Sequence, residues 1–87
     1  MVDVIIYTTR TCPFCRRALQ LLDSKDVEYD NIDVTGNQPL RDHMTERAGG
    51  RTSVPQTFIN GQHIGGCDDL HALDAEGKLD ALLRESA

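Results

Sequence analysis

The chain has 87 residues, and nine Lys and Arg against fourteen Asp and Glu give a net charge of −5. That length suits one small domain with a modest core and leaves no room for two. The acidic balance, with two Tyr, two Phe and no Trp, excludes a general nucleic-acid or anionic-membrane binder, which needs a basic face or stacking platforms.

Met1 to Tyr7 carries no basic leader, and its apolar run is too short for a signal peptide. No segment approaches the ~20 apolar residues of a transmembrane helix. The expected location is therefore the cytoplasm, where the thiols stay reduced and no membrane partner is implied.

Val2 to Tyr7 is rich in β-branched and apolar residues and predicts a buried strand. From Pro13 the pattern turns helical. Cys15, Ala18, Leu19 and Leu22 share one face, and the helix runs to about Lys25. Pro13 suits the first turn, where its missing N–H is no loss. Val27 to Val34 predicts a second strand, which makes a parallel βαβ unit with a right-handed crossover. Asn37 is placed to cap a second helix carrying Leu40, Met44 and Ala48, which Gly49-Gly50 ends.

Val54 to Ile59, then Asn60-Gly61, then Gln62 to Ile64 is a hairpin signal, because Asn-Gly favours a type I′ turn. Gly65-Gly66 breaks the strand. Asp68 and Asp69 then put acid in the first turn of a third helix bearing Leu70 and Leu73. After Glu76-Gly77, Leu79, Leu82 and Leu83 mark a short last helix. The sum is an α/β domain spanning residues 1–87: a four-stranded mixed sheet with helices on both faces.

Cys12 and Cys15 carry the chemistry. Cys12 falls at the strand-to-helix junction, where free N–H groups and the helix dipole favour a negative sulfur. Arg10, Arg16 and Arg17 add positive charge nearby, and a Cys15 S–H is placed to donate to the Cys12 sulfur. Cys15 lies on the apolar face and is expected to be buried. The asymmetry suits an attacking Cys12 and a resolving Cys15. A zinc site needs four ligands. The remaining candidates, Cys67, His43, His63 and His71, form no second Cys-x-x-Cys and no spaced His pair, so no metal is expected. The histidines read as solvated or packed.

Three motifs, Cys12-Pro13-Phe14-Cys15, Ser53-Val54-Pro55 and Gly65-Gly66-Cys67-Asp68-Asp69, appear in that order on this pattern of elements. With them the chain resembles the glutaredoxins, in particular the short bacterial dithiol kind, from Val4 to Leu83. The resemblance implies the thioredoxin fold and a glutathione-dependent thiol–disulfide oxidoreductase acting on glutathionylated and disulfide-bonded proteins. Ribonucleotide reductase is one candidate partner. Glutathione is the implied co-substrate, and the expected state is a monomer.

It further implies a cis-proline at Pro55 that presents the Val54 backbone to the cysteine residue of glutathione, with Ser53 beside it. The γ-glutamyl carboxylate is expected on backbone N–H groups of Gly66, Cys67 and Asp68, and its ammonium group on the Asp68 side chain. Pro13 and Phe14 flank the site, with Phe14 where the family usually has Tyr. Arg41 falls near a position that helps bind the glycine carboxylate. Thr9 stands where many relatives have Lys, and Arg10 is the nearest replacement. Cys67 reads as a small semi-buried residue or an auxiliary thiol. Competing readings are a reductant fed by thioredoxin reductase and an iron–sulfur cluster carrier.

Overall fold

A computed structural model describes residues 3–84. The elements run β1 (Val4–Thr8), α1 (Pro13–Ser24), β2 (Asp30–Asp33), α2 (Gln38–Arg47), β3 (Gln56–Ile59), β4 (Gln62–Gly65), α3 (Cys67–Ala75) and α4 (Lys78–Arg84). The sheet order is β2-β1-β3-β4. β1 pairs parallel with β2 and antiparallel with β3, and β3 pairs antiparallel with β4.

Alternation along the strands builds two cores. Val4 and Ile6 face Ala18 and Leu22 of α1, with Leu70 of α3 and Leu79 of α4. Tyr7 and Phe58 face the other way, with Val34 and with Met44 of α2 and Ala48. Each fully buried Leu or Ile contributes about 1.5–3 kcal/mol relative to exposure. Helices on both faces are thus the consequence of strands apolar on both sides.

The turn between β3 and β4 is the expected one. Asn60 and Gly61 take φ of 51° and 81°, both positive as a type I′ turn requires. Asn37 caps α2 by accepting the Leu40 N–H at 3.1 Å.

Two strand boundaries differ from expectation. β1 extends to Thr8, which stands opposite Asp33, while Val2 lies outside the described residues. β2 is Asp30–Asp33 and not Val27–Val34. With Ile5 opposite Asp30, Val27 would need residue 2 as its partner, beyond the start of β1. Val27 and Tyr29 instead pack their side chains on the core without joining the ladder. The hairpin strand likewise begins at Gln56, directly after the cis Val54–Pro55 peptide. Among the described residues no helix is long and apolar enough to cross a membrane.

Candidate active site

β1 and α1 meet at Cys12, which is the N-cap of α1 with extended φ and ψ of −94° and 112°. Its sulfur does what a Ser or Asp oxygen does at this position. It accepts the Cys15 backbone N–H at 3.3 Å. A thiolate here has an orphan helical donor on it and the positive end of the dipole beneath it. As a thiol, Cys12 instead donates to the Val54 carbonyl at 3.6 Å, a contact that brings the loop before β3 to the reactive sulfur.

Cys15 is one turn in and only 1% exposed. Burial first, then its hydrogen bond with Cys12, pushes the Cys15 thiol up to about 12. The two thiols therefore differ as the sequence implied: one sits at a helix start beside solvent, the other is buried and protonated. Cys67 opens α3 but is 4% exposed, and burial raises its thiol despite the nearby Arg17. Of its two readings, a small semi-buried residue or an auxiliary thiol, that burial favours the first.

A groove of about 200 Å³ collects Phe14, Ser53, Val54, Pro55, Gly66, Cys67 and Asp68 with Arg51 and Asp69. Phe14 is 53% exposed, an unusual surface for a large apolar ring. A second hollow on the other side of the cysteines is lined by Thr9, Arg10, Cys12, Cys15 and Arg16. Seven expected residues thus share one cleft beside Cys12. Pro13 is the exposed first residue of α1, between the two thiols. A larger hollow, about 620 Å³ between residues 25–28 and α4, is lined by no thiol.

Three expectations are redirected. The Gly66 N–H is taken by Asp69 Oδ2 at 2.9 Å, so only the Cys67 and Asp68 amides at this helix start are left to meet an anion. A Cβ at Gly66 would meet the Pro55 carbonyl at 3.4 Å, an ordinary contact, so space alone does not demand glycine there. Arg10 turns to Asp33 at 3.0 Å rather than toward Cys12. Arg41 donates to the Thr52 carbonyl at 3.1 Å and lines neither hollow.

Sequence reasoning missed Arg51. Its guanidinium holds Asp69 at 2.9 Å across the groove, and these two contacts, Gly66 first, keep the Asp69 carboxyl below its usual range. Gly65, at φ 121°, makes room for the pair, because a Cβ there would lie 2.3 Å from Asp69 Oδ2. No group of three or more His, Cys, Asp or Glu among the described residues is arranged to hold a metal ion. Of the histidines, His43 is exposed, while His63 and His71 are half-buried.

A parallel-antiparallel sheet of this order, with a Cys-x-x-Cys at the first helix start facing a cis-proline, defines a thioredoxin-fold thiol–disulfide oxidoreductase. Comparison with known proteins narrows the class. The glutaredoxin family model matches residues 4–64. Glutaredoxin 3 of Escherichia coli K12 is 56% identical over 84 residues, covering 97% of this chain and 100% of that one. The solution structure of glutaredoxin from Brucella melitensis is 53% identical with a TM-score of 0.86, over 100% of this chain and 94% of that one. A crystal structure of the buckwheat glutaredoxin–glutathione complex superposes with a TM-score of 0.87 at 28% identity, over 94% and 76% of the two chains. The chain belongs to the glutaredoxin family.

Proposed function

We propose that the protein reduces protein–glutathione mixed disulfides and protein disulfides with electrons from glutathione, Cys12 acting as nucleophile and Cys15 as resolving thiol. On a glutathionylated protein, the Cys12 thiolate attacks the glutathione sulfur. The bond to the protein sulfur breaks, and the protein leaves as a thiolate that takes up a proton. A second glutathione thiolate then attacks the glutathione sulfur held on Cys12, which frees Cys12 and releases oxidised glutathione. On a protein disulfide, Cys12 forms a mixed disulfide with one sulfur and frees the other. Cys15, deprotonated, then attacks the Cys12 sulfur, giving Cys12–Cys15 and a reduced protein. Two glutathione molecules return the pair to thiols and become one disulfide.

The observation that carries this reading is the Cys12 sulfur itself, held by an orphan helix N–H and facing Val54 at the edge of the Phe14–Asp68 groove. The groove matches glutathione in kind. The Val54 backbone suits its cysteine residue, the Cys67 and Asp68 amides suit the γ-glutamyl carboxylate, and the Asp68 carboxylate suits the ammonium group. A relative has been solved with glutathione bound. With Arg10 and Arg41 engaged elsewhere, the glycine carboxylate is the weakly held end. We place the protein in the cytoplasm as a monomer without a metal, acting on glutathionylated or disulfide-bonded proteins.

The test is turnover of a glutathionylated peptide with glutathione as sole electron donor, followed through glutathione reductase and NADPH. The expected result is a rate far above uncatalysed exchange that vanishes in Cys12→Ser. No enhancement from folded, reduced protein would reject the reading and favour thioredoxin reductase as the donor.

A further inference from the structure

Gln56 is a polar side chain with no solvent exposure, set at the first position of β3 directly after Pro55. An apolar residue of like shape would fill this core position as well, since a buried amide adds little net stability over a matched hydrophobe. What the amide adds is direction. Its Nε2 donates to the Ser53 carbonyl at 3.0 Å and reaches the Ser53 hydroxyl at 3.3 Å. Its Oε1 meets His63 Nε2 at 2.7 Å.

The roles of these atoms are fixed by elimination. The Ser53 carbonyl only accepts, so the Gln56 NH₂ must face it. Gln56 Oε1 then faces His63, and the proton of that bond sits on His63 Nε2. His63 is itself held in place, its ring 5.1 Å from that of Phe58. A chain of two hydrogen bonds therefore runs from β4 through the buried amide to the loop that brings the Val54 carbonyl to Cys12.

We propose that Gln56, backed by His63, is a positioning residue that holds the Ser53–Val54 backbone in register with Cys12 for the glutathionyl substrate. This rests on the glutathione reading above. Gln56 does not touch the substrate or either thiol of the pair. Its effect reaches the reaction through one backbone segment, and that segment also carries a carbonyl that contacts the Cys12 sulfur. Misplacing such a segment weakens the backbone contacts it offers to an extended substrate residue.

The experiment measures KM and kcat for a glutathionylated peptide at saturating glutathione, with a melting curve for each variant. Gln56→Met keeps the bulk and removes both bonds. Gln56→Glu keeps an acceptor for His63 but cannot donate to Ser53. Both are expected to raise KM about three- to tenfold, the worth of one neutral hydrogen bond, with kcat within about twofold. His63→Leu is expected to raise KM in the same sense, and His63→Gln, which still offers an N–H, to restore it. An unchanged KM in folded Gln56→Met or Gln56→Glu overturns the proposal, even if melting temperatures fall, because a purely structural amide would give that result. Should the Gln56 variants not fold, the His63 pair decides: equal KM in His63→Leu, His63→Gln and wild type overturns it. Wild-type protein that does not turn over with glutathione at all rejects the parent reading and this one with it, and the wild-type assay separates the two failures.

Discussion

Removing Cys12 and Cys67 leaves Cys15 as the sole thiol, and its reactivity then reads out its burial. The double variant Cys12→Ser, Cys67→Ser retains a hydroxyl where Cys15 now finds the Cys12 sulfur, and it leaves the main cause of the high value, burial, in place. The Cys15 thiol is raised from an ordinary 9.0 to about 12, so at neutral pH its thiolate population falls about a thousandfold. A more basic thiolate is also more nucleophilic, and a Brønsted slope of about 0.4–0.5 recovers roughly twentyfold of that loss. About fiftyfold is the upper bound on this effect for the variant, which keeps the burial but loses the contributions of Cys12 and Cys67, so alkylation by iodoacetamide is expected to be slower than for an exposed thiol by up to that factor. Limited access at 1% exposure slows it further. The assay is mass-spectrometric counting of alkylated protein against time from pH 6 to 10, with the denatured variant as the exposed-thiol reference. The rate is expected to keep rising to the top of that range without a plateau. Alkylation within about threefold of the denatured reference, or a plateau below pH 9, would refute the burial argument.

Three further outcomes follow from geometry. Asp69→Asn keeps an acceptor for the Gly66 N–H but loses the charge facing Arg51. At pH 7 this lowers stability by about 0.5–1 kcal/mol in a denaturant titration. Because the Asp69 carboxyl is held below its usual range, its contribution is present above about pH 4 and lost as pH falls through the lower folded value. The wild-type and Asn proteins should therefore converge in acid, and a constant gap would contradict the linkage. Leu70→Ala, at a fully buried site, should cost about 2–5 kcal/mol and lower the Tm by roughly 10–25 °C in calorimetry. Lys25 bridges Asp74 of α3 and Asp80 of α4 from the end of α1. Lys25→Met should lower the Tm more at low salt than at high salt, and a salt-independent change would mean the ion pairs contribute nothing.

Features set by neighbours in sequence could be read from the chain alone. The Asn60-Gly61 turn, the Asn37 cap and the cap position of Cys12 each depend on residues within three or four positions, and each is found where expected. Apart from the Gly66 N–H, which Asp69 takes from three residues away, the failures involve partners distant in the chain. β2 stops at Asp33 because β1 ends opposite it at Thr8, which the apolar content of Val27–Val34 does not contain. Arg10 and Arg41 are aimed by Asp33 and by the Thr52 carbonyl, and charge alone says nothing about which acceptor a long side chain will find. Gln56 did leave a signal: a lone amide in the apolar run Val54 to Ile59 has to be exposed or bonded. Choosing between those options required knowing that both faces of the sheet are covered.

The three cysteines separate two influences usually credited together. Cys12 and Cys67 both stand at helix starts, where orphan N–H groups favour a negative sulfur. If that position alone made a nucleophile, the protein would have two. Cys67 is the first residue inside α3 and packs in the core beside Leu70. Burial is the leading cause acting on it, and it raises the thiol. Cys12 stands one position earlier in its helix, as the cap itself. From there its sulfur receives the Cys15 N–H, and the residue stays half-buried, lining the hollow with Thr9, Arg10 and Arg16. At surface exposure a helix start supplies about 0.3–1 kcal/mol, which desolvation readily outweighs. Moving a thiol one residue from cap to first turn therefore decides whether the dipole acts on an accessible sulfur or on a buried one. That step is what separates the half-buried Cys12 from the buried Cys67, and it is the reason the proposed exchange starts from Cys12.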